Sequence, residues 1–335
     1  MRTFNIAVVG CGGVSRMHFP GYLAHPERVR VVAACDVIEE RAQKAKAQYG
    51  LEWAGPSVEA MIDAGGWDVA AVCTPTPVRE QVVAALAAAG KHVYCEKPMA
   101  DNFAEAERMA AACDAAGVGL AVDQNLRYHY AFDIARSVIA EGRLGRVLTV
   151  AHQELMTRQD TGWRIECPRH ALAVMGVHWL DGFRWMLGSE AKSIACHTHS
   201  SPAIDCAGET DAVAQIEFED GAAVSYVESF SSPVGRAETA VVGERGVLVF
   251  GFDTAALYDR DHRREPLERW ANPFAGPGKP ESAFKGLDHL LAALEDGAEP
   301  PNSGHDNLKT VALLEGAYRS AKENRPVSFH NGLLA

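Results

Sequence analysis

The pattern of the chain predicts an α/β half followed by an α+β half, and three observations carry that reading. Up to about residue 124, short apolar runs alternate with helix-like stretches. The first of those runs feeds a glycine-rich turn. Beyond residue 125 the pattern becomes an apolar–polar alternation of period two, the mark of strands with two different faces.

In the first half, β-rich runs are expected at Phe4–Val9, Arg30–Ala34, Asp68–Thr74, His92–Cys95 and Val118–Val122. Helical stretches are expected at Met17–Ala24, Glu39–Tyr49, Ser57–Ala64, Val78–Ala89 and Phe103–Ala115. Apolar strands alternating with helices imply a parallel sheet covered on both faces. Gly90 and Gly117 stand where helices end and a positive φ is wanted. In the second half a helix over Phe132–Glu141 leads into a strand over Val147–Leu155. A charged, proline-containing loop follows over Thr157–Arg169, then a helix over Ala171–Leu187. Strands at Ser193–His197, Ala212–Phe218, Ala223–Phe230, Thr239–Val242 and Val247–Phe250 read as an antiparallel sheet, with turns at Asp220-Gly221 and Glu244-Arg245-Gly246. Residues 261–280 read as a long surface loop, and helices close the chain at Ala283–Leu294 and Asp306–Lys322.

The 335 residues suit about two domains at roughly 150 residues each. Thirty-two basic against 44 acidic side chains leave a formal net charge of −12 and no basic run, which argues against nucleic acid and anionic membranes as partners. The eight cysteines form no C-x-x-C pair, and several lie in apolar runs, as expected of free thiols in a reducing compartment. With no signal-peptide pattern and no stretch of membrane-spanning length, a cytoplasmic protein is expected.

The first strand enters Gly10-Cys11-Gly12-Gly13-Val14-Ser15 and then a helix. In such a turn glycines let the backbone approach a pyrophosphate, and helix N–H groups favour its charge. Glycines serving only a tight turn are the plain alternative. Asp36 ends the second strand about twenty residues on, where an acid can bind the adenosine ribose hydroxyls and repel a 2′-phosphate. Val37 follows in place of a phosphate-binding residue, so NAD is favoured over NADP. A solvated strand-end aspartate would look the same. Cys73-Thr74-Pro75-Thr76-Pro77 places a rigid loop at another strand's carboxyl end. Cys95-Glu96-Lys97-Pro98 aims a lysine toward the same edge, and its X-Pro bond can be cis. A surface lysine before a proline is the alternative there.

In combination these motifs resemble the Gfo/Idh/MocA oxidoreductases. The later signals agree: Gln124-Asn125-Leu126-Arg127, Gly162-Trp163-Arg164, Gly176-Val177-His178-Trp179-Leu180-Asp181 and Asn302-Ser303-Gly304. The resemblance implies an N-terminal Rossmann domain with a doubly wound parallel sheet over 1–124. A C-terminal α+β domain with a large open, mostly antiparallel sheet follows over 125–335, building the substrate site and a homodimer or homotetramer interface. It implies that Lys97 and His178 act on the reacting hydroxyl of a sugar or polyol. Thr74, Pro75, Thr76, Glu96 and Asn125 border the cofactor with the glycine turn (Gly10, Gly12, Gly13, Val14, Ser15), and Trp163-Arg164 close over it.

The expected reaction is NAD-dependent oxidation of a hydroxyl of an unphosphorylated aldose or cyclitol. The alternatives are keto-sugar reduction, NAD-assisted redox-neutral glycoside cleavage, and a non-catalytic NAD and sugar sensor. Two departures stand out. Val174 replaces the aspartate that many relatives carry one helical turn before the histidine, with His170 and Asp160 as candidate substitutes. Arg79 replaces a histidine after the T-P loop. His197 and His199 share a strand face but lack obvious further ligands, so no metal is expected.

Overall fold

The computed structural model describes residues 2–273 and 279–335. The chain packs into two compact units, Met1–Tyr128 with Gly278–Val311, and His129–Pro277 with Ala312–Ala335. The boundary near residue 124 treats the chain as two consecutive pieces. In space, the segment 278–311 belongs to the first unit although it follows most of the second in sequence.

The first unit runs β1 (Phe4–Val9), α1 (Ser15–Leu23), β2 (Val29–Cys35), α2 (Glu39–Tyr49), β3 (Trp53–Gly55), α3 (Val58–Ala64), β4 (Val69–Val72), α4 (Arg79–Ala88), β5 (His92–Glu96), α5 (Phe103–Ala116) and β6 (Leu120–Asp123). Its six strands lie in the order β3-β2-β1-β4-β5-β6, all parallel. Side chains alternate across each strand. On one face Phe4, Ile6 and Val8 pack with Phe19 and Tyr22 of α1 and with Leu287, Leu290 and Leu291. On the other, Ala7 and Val9 share a core with Met61, Val83, Leu86 and Met109 from α3, α4 and α5. Each such Val, Leu, Ile, Phe or Met side chain contributes about 1.5–3 kcal/mol of burial free energy, so a sheet buried on both faces accounts for the uninterrupted apolar runs. Helix starts obey local chemistry: Asn102 caps α5 by accepting from the Glu105 N–H at 3.0 Å, and the Glu105 carboxylate reaches back to the Asp101 N–H at 3.2 Å.

The second unit continues with α6 (Tyr130–Ala140), β7 (Val147–Thr157), a π-helical turn at Leu172–Gly176, α7 (Val177–Leu187), β8 (Ala191–His199), β9 (Asp211–Phe218), β10 (Ala223–Ser229), β11 (Ser231–Gly243), β12 (Gly246–Phe250), β13 (Thr254–Asp259) and β14 (Glu268–Ala271). Helix α8 (Lys279–Asp296) lies in the first unit. Then come α9 (Gly304–Glu323), β15 (Val327–His330) and β16 (Leu333–Leu334). The ten-stranded sheet has the order β14-β13-β12-β11-β7-β10-β9-β8-β15-β16. It is antiparallel except where β10 runs parallel to β7. Gly182 of α7 lies so close to the Phe132 ring of α6 that a Cβ there would clash.

Five strands escape the sequence reading. β3 is only three residues, β13 is a six-residue run next to the polar stretch 259–266, β14 lies in charged sequence, and β15 and β16 are short. β14 falls inside the loop expected over 261–280, and the part of that loop at 274–278 lies outside the described residues. The helix expected over Ala171–Leu187 begins with the π turn rather than a regular α turn.

Between the sheet and α7, His152 is buried, with Nδ1 2.9 Å from the Thr239 hydroxyl and its ring 3.8 Å from that of Trp179. Burial pushes its pKa down to about 3. The unfolded chain therefore binds a proton near pH 6.5 that the folded chain refuses. Stability is whole above that pH and declines as pH falls toward 3. In His152→Gln the loss between pH 7 and pH 5, measured by urea unfolding, is expected to shrink by about 1–2 kcal/mol.

Candidate active site

Parallel pairing brings the carboxyl ends of β1, β2, β4 and β5 to one edge of the first sheet, and the sequence motifs gather there. At the end of β1, Gly10 takes φ +90°, and a Cβ would lie 3.0 Å from the Cys73 carbonyl carbon and oxygen. Only glycine meets both demands. A Cβ added at Gly12 or Gly13, by contrast, meets no atom within 4 Å. The turn is thus tight on its inner side and open on its outer side. Val14 precedes α1 without a side-chain cap, so side chains do not compete for the helix N-terminus. Ser15 donates its hydroxyl back to the Gly12 carbonyl at 2.8 Å and closes the turn.

Asp36 braces this turn. One carboxylate oxygen accepts the Cys11 N–H at 2.8 Å, and the other accepts the Ile38 N–H at 2.8 Å. Each oxygen retains capacity for a further donor such as a ribose hydroxyl. Burial, then Asp36, push the Cys11 thiol up to about 12, so it stays protonated beside the turn. All eight cysteines are free thiols.

At the end of β4, Thr74, Pro75 and Thr76 form the next loop. Its anchor is Arg79, 2% exposed, whose guanidinium donates to the Thr74 carbonyl at 2.6 Å and to the Pro98 carbonyl. Arg79 therefore ties the T-P-T-P loop to the turn that carries Lys97. Burial holds the Arg79 pKa below its ordinary value, while Cys95 and Glu96 oppose this. The sequence marks Arg79 as a departure from relatives; its tying role is visible only in three dimensions.

The Lys97–Pro98 peptide bond is cis. Lys97 is half-buried at the strand end. Glu96, expected to border the nicotinamide, is 5% exposed. One of its oxygens lies 2.8 Å from His18 Nε2, and the other accepts the Lys97 backbone N–H at 3.2 Å. Asn125 follows β6 in a short 3₁₀ turn.

In the second unit His178 stands in the first turn of α7, 9% exposed. The candidate substitutes for the carboxylate missing at Val174 pair with each other. His170 Nε2 lies 3.1 Å from an Asp160 oxygen, and Arg158 donates to both Asp160 oxygens at 3.1 Å. The His170 side chain is fully buried, so the pair fastens the 157–169 segment to the start of the helix. Burial raises the Asp160 carboxyl, but His170 and Arg158 overcome that and hold it far below the usual range. Trp163, 38% exposed, carries the Arg164 guanidinium 5.1 Å from its ring centroid.

Other buried carboxylates support the same helix. Glu209 accepts the N–H groups of His170 and Leu172 and the Tyr318 hydroxyl. Glu154 accepts the Trp179 indole N–H. Glu228, its register partner on the adjoining parallel strand, accepts the Tyr226 hydroxyl. A Cβ at Gly176 would sit 2.8 Å from the Glu228 carboxylate, so glycine lets the π turn approach it. Burial, then the Glu154 charge, raise Glu228 well above the ordinary carboxylate range. Sequence reasoning missed these acids, although Glu154 and Glu228 fall on the apolar phase of their strands. Among the described residues the His and carboxylate side chains that converge are His18, Glu96 and Asp123, a group that does not include His197 or His199.

The open glycine turn, an uncapped helix start, Asp36 and a strand-end lysine define a dinucleotide-dependent oxidoreductase. The chain belongs to the Gfo/Idh/MocA family. Residues 4–124 match the oxidoreductase family model with an NAD-binding Rossmann fold, and residues 132–249 match the GFO/IDH/MocA C-terminal domain. The chain is 31% identical to a D-apiose dehydrogenase of Paraburkholderia graminis, over 98% of this chain and 90% of that one. It is 26% identical to an inositol 2-dehydrogenase of Rhizobium meliloti, over 97% and 99%. The solved structure of an aldose-aldose oxidoreductase from Caulobacter crescentus superposes with a TM-score of 0.84 at 27% identity, covering 98% of this chain and all of that one.

The open outer side of the glycine turn and the remaining acceptor capacity of Asp36 fit NAD, the cofactor of the family. Since a methyl group at Gly12 has free space, Gly12→Ala is expected to leave thermal stability within about 1 kcal/mol. NAD affinity should nonetheless fall about tenfold by calorimetric titration. Arg79→Met leaves the half-buried Thr74 and Pro98 carbonyls without their donor and is expected to cost about 2 kcal/mol in urea unfolding.

Proposed function

We propose that the chain catalyses NAD-dependent oxidation of a hydroxyl of an unphosphorylated sugar, an aldose, or of a cyclitol. The observation that carries this reading is the convergence of the open glycine turn, the Asp36 carboxylate and Lys97 at one sheet edge, in a chain whose relatives are named for apiose and inositol. Bound NAD supplies the hydride acceptor. Lys97 hydrogen-bonds the reacting oxygen and stabilises the negative charge that grows on it. His178 takes the hydroxyl proton as general base. Thr74, Pro75, Thr76, Glu96 and Asn125 frame the cofactor end of the first unit, and Trp163 and Arg164 of the second shield the reacting groups from water. Asp36 favours NAD over NADP because a 2′-phosphate would meet its carboxylate.

We further propose a homodimer or homotetramer through the open face of the large sheet. Supporting this, Val213 of β9 is 43% exposed, and the positions Gln215, Ser225 and Val227 beside it on the same face are uncharged. A place in the cytoplasm belongs to the same proposal and is supported by the free cysteines; among the described residues no helix is long and apolar enough to cross a membrane.

The test is turnover with NAD and, separately, NADP against unphosphorylated aldoses, branched sugars, cyclitols and sugar acids, following reduced cofactor. NAD-linked turnover that drops at least about a thousandfold in Lys97→Ala supports the reading. Silence across the panel despite NAD binding, or sugar cleavage without accumulating NADH, overturns the dehydrogenase. Turnover that survives Lys97→Ala overturns the role of the lysine.

A further inference from the structure

Behind the strand-end lysine, Glu96 joins a buried group of side chains whose other members, His18 and Asp123, the proposed chemistry does not use. His18 comes from the first turns of α1, Glu96 from the end of β5 and Asp123 from the end of β6; they are 1%, 5% and 1% exposed. His18 Nε2 faces both acids, 2.8 Å from Glu96 Oε1 and 3.5 Å from Asp123 Oδ2. Its other ring nitrogen is 2.7 Å from the Tyr22 hydroxyl, which fixes the ring. Tyr94 donates to the second oxygen of Asp123 at 2.8 Å. The facing nitrogen and oxygen atoms of His18, Glu96 and Asp123 lie within 4.8 Å of one another. With Tyr22 and Tyr94 they make a buried ion-pair and hydrogen-bond network in which, among the described residues, Asp123 Oδ2 has only the charge of the His18 ring to face. Two carboxyl groups and one imidazole enclosed this completely are costly unless the ring carries a proton between them.

We infer that His18 is a positioning residue: protonated between Glu96 and Asp123, it keeps the Glu96 carboxylate turned inward, and through Glu96 it fixes the Lys97 backbone at the end of β5. The geometry supplies each link. Glu96 spends one oxygen on His18 and the other on the Lys97 N–H, so release of the first frees the second. The groups facing the network are Tyr22 from α1, Cys73 after β4, Tyr94 and Lys97 on the β5 side, and Arg79 from α4.

The electrostatics agree in direction. Burial opposes charge on the ring, but Cys73, Tyr22 and Glu96 outweigh it and raise His18 well above its ordinary value. Burial raises Glu96, and His18, Lys97 and Arg79 more than reverse this, so Glu96 stays ionised below its ordinary range. Burial and then Glu96 push Asp123 up to about 7. With His18 neutralised, Glu96 loses its main partner and takes up a proton at higher pH.

The inference rests on the reading of Lys97 given above, and its test separates the two. In the full chain, His18→Leu should lower kcat about tenfold or more while the NAD dissociation constant stays within about threefold. His18→Gln, which can still donate to Glu96 but carries no charge, should recover part of kcat and move the acid limb of the pH–rate profile upward. In a Glu96→Gln background the same His18→Gln change should have no further effect on kcat. Equal losses in both backgrounds, or an unmoved pH profile, overturn the inference and leave His18 a packing residue.

The pairing is also read without turnover. Nitrogen-15 histidine spectra, assigned by the signal lost in His18→Gln, should show both His18 ring nitrogens protonated at pH 7.5. Glu96→Gln should convert the ring to the neutral form. A neutral His18 in the unmodified chain, or stoichiometric metal held by the chain in elemental analysis, overturns the inference. Protonated His18 in a chain that turns over no substrate supports the pairing and places the failure with the dehydrogenase reading.

Discussion

The parallel pairing of β1 with β2 and β4 is the constraint from which the rest of the first unit follows. Because neighbouring strands run the same way, their carboxyl ends share an edge, and each strand contributes one chemical element there. β1 ends in the glycine turn, β2 in Asp36, β4 in the T-P-T-P loop and β5 in Glu96 and Lys97. An antiparallel partner would carry its motif to the opposite edge. Such a sheet leaves no polar face, so the charges at the edge must be satisfied locally. The buried Arg79 guanidinium and the His18 network meet that requirement, and both bear on the turn that holds Lys97.

The second unit solves the opposite problem. Its sheet has one face turned away from the helices, and its polar demands concentrate under α7. There the start of the helix is held by Glu209, its π turn lies over Glu228, and Trp179 is fastened to Glu154. Burying these carboxylates costs desolvation, which the donors of Leu172, Trp179 and Tyr226 offset in part. A helix held this way presents His178 from a rigid base, which a purely apolar seam would specify less tightly.

Much of this was legible in the sequence because it depends on short-range rules. Strand alternation, helix caps and glycine turns involve residues close in sequence, and β1, β2, β4, β5 and α1 to α5 fall within a few residues of their expected bounds. The glycine turn after β1 and the place of Asp36 after β2 were legible for the same reason. What escaped is non-local. His18 lies on the buried stripe of α1 with Ser15, Phe19 and Tyr22, a polar residue in an apolar phase, but nothing in the sequence says that Glu96 and Asp123 await it. Glu154 and Glu228 are the same case on strands. Strands β13 to β16 are short. Ala255 and Leu257 of β13 and Val327 and Phe329 of β15 alternate as in any half-buried strand, but four to six such residues are too few to stand out from a loop until a large sheet offers them partners.

Helix α8 packs against α1 in the first unit, with Gly21 against the Pro280 backbone and the His25 ring stacked 3.6 Å from Phe284. It also closes over Tyr94, whose hydroxyl reaches the Ala283 carbonyl at 3.1 Å. During synthesis the ribosome must deliver about 150 further residues before this helix emerges. Until then, the nascent first unit exposes the apolar groove that Leu287, Leu290 and Leu291 will fill. The dinucleotide-binding half is therefore among the first parts of the chain to be made and among the last to be finished.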